Sequence, residues 1–159
     1  MFDLTPVLDQ LSVPGNFNIA VPEYFNFGVD VIDARAGEGD KTAYIWVDRS
    51  GSVVEHHSFS DLSQASTRFA NVLHQIGARK GDCAVVIMPR VPAWYEVVIG
   101  CIKAGVVAMP GTNLLTAKDI EYRINKSNAT VAVVSMEHVA KIETIKDRCP
   151  TLVHLILVG

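Results

Sequence analysis

The sequence predicts an α/β fold: an incomplete doubly wound, mostly parallel sheet flanked by helices and preceded by a β-hairpin. Three observations carry this. Short apolar runs rich in β-branched residues recur at 83–88, 106–109, 130–134 and 153–158. A single helix-patterned segment lies between each pair of runs, and strands alternating with helices imply right-handed crossovers and parallel pairing. The composition is 49% hydrophobic and only 19% charged, against roughly 25% charged in an ordinary soluble domain. Such a surplus fits a sheet covered on both faces, a chain that packs against further protein, or both.

The elements follow in order. Residues 1–21 contain Pro6, Pro14 and Gly15 without sustained periodicity and read as an irregular leader; residues 22–159 form the domain. Phe25, Val29, Ile32 and Ala36 fall at helical spacing, predicting a helix over 26–36 that breaks at Gly37-Glu38-Gly39-Asp40. The β-rich segments 42–47 and 53–59 flank Asp48-Arg49-Ser50-Gly51-Ser52, and this turn chemistry makes them a hairpin. Ser60 is the expected N-cap of a long helix carrying the stripe Leu62, Ala65, Phe69, Val72, Leu73 and Ile76, with Gly77 ending it in the left-handed conformation.

After the strand at 83–88, Pro92 sits where proline suits the first turn of a helix, and Gly105 follows that helix. Thr116-Ala117-Lys118-Asp119 has the form of a capping box ahead of Ile120 and Ile124. A helix over 136–147 then leads to the strand at 153–158. Ligands of such sheets bind beyond the carboxyl ends of the strands. Two loops meet that condition, Pro89-Arg90-Val91-Pro92 and Pro110-Gly111-Thr112-Asn113-Leu114-Leu115. Glycine at 111 would let a ligand approach the backbone closely, while the plainer reading is that Pro and Gly simply turn the chain.

A net charge of −3 argues against nucleic acid or an acidic membrane surface as partner, because phosphate recognition needs a basic field. No apolar run approaches the roughly 18 residues that suggest a membrane span. Met1-Phe2-Asp3-Leu4-Thr5-Pro6 lacks the cationic start and apolar core of a secretion signal. Cys83, Cys101 and Cys149 are three, widely spaced and set in apolar or helical stretches, as reduced thiols are. Together these features imply a cytoplasmic protein.

The catalytic signals are sparse. Gly37-Glu38-Gly39-Asp40-Lys41-Thr42 lacks the spacing and the strand-to-helix setting of a phosphate loop, and no Gly-x-Gly-x-x-Gly occurs. His56 and His57 alternate across a strand and cannot chelate one ion together; His74, His138 and His154 are scattered without partners at ligand spacing. No metal site is predicted. Ser135, at the end of the third sheet strand, is the only serine placed suggestively, and no Gly-x-Ser-x-Gly elbow surrounds any serine. Cys101 lies on an apolar stripe and reads as core. With no complete catalytic motif, the chain alone is expected to do no chemistry.

Ordered blocks nevertheless make the chain recognisable: Phe25-Asn26-Phe27, Asp40-Lys41-Thr42-Ala43, Phe59-Ser60-Asp61-Leu62, Met88-Pro89-Arg90-Val91-Pro92, Lys103-Ala104-Gly105, Pro110-Gly111-Thr112 and Leu115-Thr116-Ala117-Lys118-Asp119-Ile120-Glu121-Tyr122-Arg123. Over residues 22–159 it resembles the amino-terminal region of AMP-forming acyl-CoA synthetases, especially the medium-chain and aryl carboxylate branch. The resemblance implies an acid–thiol ligase. In such an enzyme a carboxylate attacks the α-phosphate of Mg-ATP to give an acyl-adenylate, and the thiol of coenzyme A then displaces AMP. It also implies that ATP, Mg²⁺ and coenzyme A serve the full-length protein, with none binding this chain tightly.

The family's Ser/Thr/Gly-rich loop with its Lys, its Tyr-Gly-x-Thr-Glu segment, its ribose-binding Asp and its catalytic Lys do not occur among these 159 residues. The resemblance therefore implies a truncated amino-terminal part of the large domain, with no catalytic residue of its own. It assigns Gly111, Thr112 and Leu114 to a loop facing coenzyme A or the acyl group, with Leu114 standing where close relatives can carry a polar residue. Two alternatives stay open, a non-catalytic interaction module and a small flavodoxin-like nucleotide-binding protein. The apolar surplus further predicts self-association through an exposed apolar face.

Overall fold

The computed structural model describes residues 22–159; the leader expected over 1–21 lies outside the described residues. Beyond it the chain forms an amino-terminal helix, a hairpin and a four-stranded sheet with helices on both faces.

Helix α1 runs as a π-helix over Phe27–Asp33 and continues as an α-helical turn over Ala34–Ala36. The predicted span is right, but the coil is wider than the spacing implied. Asn26 caps it by accepting from the Gly28 amide, and its side-chain amide also donates to the Ile102 carbonyl at 2.9 Å. The helix is therefore tied to its neighbour from its first residue.

Strands β1 (Thr42–Val47) and β2 (Val54–Ser58) form the expected antiparallel hairpin, with a register irregularity between Thr42 and Tyr44. Helix α2 covers Phe59–Gln75, capped by Ser58 and not by Ser60. The reason is spacing: a capping box needs its carboxylate three residues after the cap, and Asp61 stands three after Ser58. Both reciprocal bonds are present, with Asp61 N to Ser58 Oγ at 3.1 Å and Ser58 N to Asp61 Oδ2 at 2.9 Å. Gly77 terminates the helix with φ +84°, as predicted.

The main sheet holds β3 (Cys83–Ile87), β4 (Val107–Gly111), β5 (Val131–Ser135) and β6 (His154–Val158), in the order β4-β3-β5-β6 and parallel throughout. Helix α3 (Pro92–Ala104) links β3 to β4, and α4 (Ala117–Ser127) links β4 to β5. The helix expected over 136–147 is instead broken into a 3₁₀ turn at Met136–His138, helix α5 (Val139–Glu143) and a second 3₁₀ turn at Lys146–Arg148. Ile142, Ile145 and Cys149 keep the i, i+3, i+7 spacing of a helical stripe and all reach one core despite the breaks.

Alternation along the central strands sorts the core into two layers. Ala84, Val86, Val131 and Val133 pack with Leu73 of α2 and Val97 and Cys101 of α3. Val85, Ile87, Ala132 and Val134 pack with Ile120 and Ile124 of α4 and Ile142 of α5. Each of these eight strand side chains is fully buried.

Besides the Asn26–Ile102 bond, a buried cation and the hairpin's aromatic side chains join the amino-terminal elements to this unit. The Lys103 ammonium, 6% exposed, donates to Asp33 Oδ1 at 2.5 Å, the Ser63 carbonyl at 3.0 Å and Thr67 Oγ1 at 2.9 Å. All three of its donors are used, so α1, α2 and α3 meet at one buried cation. The hairpin is held by the Trp46 indole, which donates to the Arg90 carbonyl at 2.9 Å, and by Tyr44, which stacks on Tyr95 at 4.6 Å.

The α2–α3 contact is close because residue 100 has no side chain. A Cβ there would lie 2.7 Å from the Ser66 carbonyl oxygen and 2.9 Å from Phe69 Cδ1. Gly100→Ala should therefore destabilise the chain by about 1–3 kcal/mol through overpacking, against a helix-propensity gain of about 1 kcal/mol. Gly37→Ala, at an ordinary φ of −74° with 3.4 Å of clearance, should be neutral or stabilising by up to about 1 kcal/mol. Urea midpoints of the two variants should move in these different directions.

Candidate functional site at the carboxyl ends of the strands

Chain direction defines the site. From β3 the chain passes through α3 to β4 on one side, then crosses back through α4 to β5 on the other. The helices that follow β3 and β5 consequently leave toward opposite faces, and a crevice opens between their starts. This is the topological switch point, where open α/β sheets bind ligands.

Two adjoining clefts occupy this end. One, of about 460 Å³, lies over the β3, β5 and β6 ends and is lined by Met88, Pro89, Val91, Pro92, Ala93, Glu96, Ser135, Val158 and Gly159. The other, of about 540 Å³, lies over the β3 and β4 ends and is lined by Arg49, Met88, Pro89, Arg90, Trp94 and Pro110 through Leu114. Both loops singled out from sequence thus border clefts, and Met88 and Pro89 line both.

Gly111, Thr112 and Leu114 all line the larger cleft. Gly111 ends β4 opposite Ile87, and an added Cβ would meet Leu115 Cδ1 at 2.6 Å. A side chain here would therefore oblige the end of Leu115 to shift. Thr112 Oγ1 accepts from the Leu114 amide at 3.3 Å, shaping the loop so that Leu114 projects outward, 86% exposed.

Arg49 arrives from the hairpin turn and Arg90 from the β3–α3 loop. Arg90 is placed over the Trp94 ring, its Cζ 5.5 Å from the centroid. In the sequence Arg49 reads as turn chemistry only. Its approach to the cleft is a tertiary matter, set by the Trp46–Arg90 bond, and no local signal announces it.

The remaining candidates resolve individually. Ser135 borders the smaller cleft, but its hydroxyl donates to Glu137 Oε1 at 3.3 Å and has no imidazole to activate it. Burial pushes the Cys101 thiol up to about 12, so it stays protonated and unreactive. His57 stacks on Tyr44 at 4.7 Å and meets Glu55 Oε2 at 3.1 Å, with His56 on the opposite strand face. Lys41, in the segment that superficially suggests a phosphate loop, pairs with Glu38 at 2.6 Å. Among the described residues no three His, Cys, Asp or Glu side chains come together to hold a metal ion, and no helix is long and apolar enough to cross a membrane.

The fold and its crevice define a doubly wound α/β ligand-binding unit. Residues 32–158 match the family model described as AMP-binding enzyme, and the chain belongs to that family. It is 41% identical over 138 residues to acyl-coenzyme A synthetase ACSM1, mitochondrial, of Mus musculus, a match covering 82% of this chain and 24% of that protein. To acyl-coenzyme A synthetase ACSM4, mitochondrial, of Homo sapiens it is 40% identical over 149 residues, covering 89% and 26%. Among solved structures, the anthranilate CoA ligase AuaEII in complex with anthranoyl-AMP superposes with a TM-score of 0.74 at 26% identity, covering 87% of this chain and 26% of that one. The Brucella canis acyl-CoA synthetase shares the fold, with a TM-score of 0.77 at 20% identity, covering 99% and 27%.

The chain thus corresponds to the amino-terminal region of acyl-CoA synthetases and spans about a quarter of the length of the curated relatives it matches. The relatives also correct the cytoplasmic expectation, because they are mitochondrial proteins. That expectation rested on the net charge, the missing apolar run, the unpaired cysteines and what residues 1–6 lack. Targeting segments are removable appendages read independently of the fold, so those residues carry no compartment.

One buried polar side chain near the site has a measurable consequence. His138, 3% exposed, has no hydrogen-bond partner for either ring nitrogen among the described residues, although Glu137 Oε1 lies 3.3 Å from Nε2. Burial, and then the neighbouring Lys141 cation, hold its pKa below the ordinary 6.5, with Glu137 opposing. The unfolded chain therefore takes up this proton before the folded chain does. The resulting stability is fully present above the unfolded value and is lost as pH falls through it toward the folded one. His138→Phe should keep the urea midpoint at pH 8 and flatten its decline below about pH 6.5. An unchanged decline in the variant would count against this account.

Proposed function

We propose that residues 22–159 are the amino-terminal part of the large domain of an AMP-forming acid–thiol ligase. The whole enzyme activates a medium-chain or aromatic carboxylate with Mg-ATP as an acyl-adenylate and passes the acyl group to coenzyme A. The observation that supports this most is the crevice at the β3–β5 switch point in a chain of the AMP-binding family. The larger cleft, with Gly111, Thr112 and Leu114 on its rim, is the side that meets coenzyme A. Its two guanidinium groups and exposed loop backbone suit a phosphorylated thiol substrate. The mitochondrial location of the relatives extends, in this reading, to the present protein. Self-association along the open edge of β6, where Val153 and Leu157 stand exposed, belongs to the same reading, since unpaired strand edges invite pairing.

In this arrangement the residues at hand bind and orient; they do not transfer protons. Trp46 fixes the Arg90 backbone, Thr112 fixes the loop after β4, and the smaller cleft sets a mostly apolar border along the strand ends. The loop that grips ATP phosphates and the groups that complete adenylation belong to the rest of the enzyme.

Three measurements test the proposal. The full-length protein should release AMP from ATP only when a carboxylic acid is supplied, with medium-chain and aromatic acids preferred, and should yield the CoA thioester. Acid-independent turnover, or none with any acid, would contradict it. Calorimetric titration of the 159-residue chain with Mg-ATP should show no binding tighter than millimolar; micromolar affinity would favour the stand-alone nucleotide-binding reading. Fractionation of cells expressing the gene product should find it in mitochondria, and a wholly cytosolic product would overturn that part.

A further inference from the structure

The larger cleft carries two positive charges in a chain of net charge −3, and no Asp or Glu lines it. Neither Arg49 nor Arg90 forms an ion pair among the described residues, whereas Arg35, Lys41, Lys103, Lys146 and Arg148 all do. The acid nearest in sequence, Asp48, is already engaged: it accepts from Ser50 Oγ at 2.6 Å and from the Val53 amide at 3.0 Å. Both arginines are exposed, and apart from the Trp94 ring beneath Arg90 only solvent meets their charges.

Both are nevertheless positioned. The Trp94 ring orients Arg90, and the Trp46 indole joins the hairpin that bears Arg49 to the carbonyl of Arg90 itself. The hairpin, which lies outside the main sheet, thereby delivers a second guanidinium to the carboxyl end of β3. Paired planar forks recognise phosphate oxygens bidentately, and a cleft of about 540 Å³ is of the size that holds a nucleotide-sized ligand.

We propose that Arg49 and Arg90 form a specificity pair for the phosphorylated end of the thiol substrate, selecting coenzyme A over thiols that carry fewer phosphates. This rests on the reading of the larger cleft as the coenzyme A side. The chemistry recognised is a phosphate ester on an adenine nucleotide, which ATP also offers, so the two sources are separated in the test. Leu114 and the Pro110–Gly111 edge supply the apolar border along which the uncharged arm of the thiol would lie.

The two tryptophans of the chain flank the pair and give separate indole N–H resonances. Titration of the 159-residue chain at low salt with coenzyme A, dephospho-coenzyme A, pantetheine and ATP should shift the Trp94 and Trp46 signals saturably. Affinity should fall in the order coenzyme A, dephospho-coenzyme A, pantetheine, and coenzyme A should bind more tightly than ATP. The R49Q/R90Q double variant should weaken coenzyme A binding by about tenfold or more, the scale of one lost charge-assisted pair, and should erase the preference over dephospho-coenzyme A. The R49K/R90K variant should restore part of the affinity. Both side chains are exposed, so urea midpoints should not move.

Equal coenzyme A affinity in wild type and R49Q/R90Q would overturn the pair while leaving the cleft assignment standing. Tighter binding of ATP than of coenzyme A, lost in the same variant, would make this a general polyphosphate site and overturn its thiol specificity. Absence of any saturable shift with coenzyme A would overturn both the pair and the cleft reading on which it rests.

Discussion

The structure depends on two strands that meet no water on either face. In β3 and β5 the side chains from Ala84 to Ile87 and from Val131 to Val134 are fully buried. Every backbone group in such strands must pair within the sheet, and every side chain must find a protein neighbour. Helices are therefore required on both faces, and right-handed crossovers assign α3 to one face and α4 and α5 to the other. The crevice at the carboxyl end is the geometric consequence: helices that diverge from adjacent strands leave a gap between their starts.

What lies outside the sheet is held to it at a few polar points, and these points decide what the crevice contains. The buried Lys103 ammonium gathers Asp33, Ser63 and Thr67 around it. Gly28 leaves room for this lysine, since a Cβ there would meet Lys103 Cγ at 2.5 Å. A desolvated cation is tolerable only when fully partnered, so the orientation of α1 against α2 and α3 is strongly specified. The hairpin is bound by a single indole-to-carbonyl bond and by aromatic stacking. That contact sets where Arg49 sits, linking a peripheral turn to the composition of the larger cleft.

Much of this was legible in the residues. The continuous apolar runs at 83–88 and 130–134, rich in β-branched residues, read as strands buried on both faces. Pro92, Gly77, Gly105 and the Thr116–Asp119 box marked helix ends where the structure has them. The amino-terminal cap of α2 was misplaced by two residues, because Ser60 suits a cap by residue type and only the spacing to Asp61 points to Ser58. The π-helical path of α1 and the broken segment after β5 were invisible to a periodicity of 3.6. Lys103 from α3 pins Asp33 at the end of the first, and the stripe Ile142, Ile145 and Cys149 persists through the second. At the site, the two loops were found because strand ends are where loops matter. The contribution of Arg49 was missed because it depends on how a separate hairpin docks.

The most direct test of this account is amide hydrogen exchange along the 159-residue chain under native conditions. If the doubly covered β3–β5 pair organises the fold, the amides of Val85 to Ile87 and Ala132 to Val134 should exchange slowest, opening only with global unfolding. The hairpin amides of β1 and β2, held at its periphery, should exchange faster. Protection that is strongest in the hairpin, with β3 and β5 exchanging as freely as the loops beside them, would contradict it.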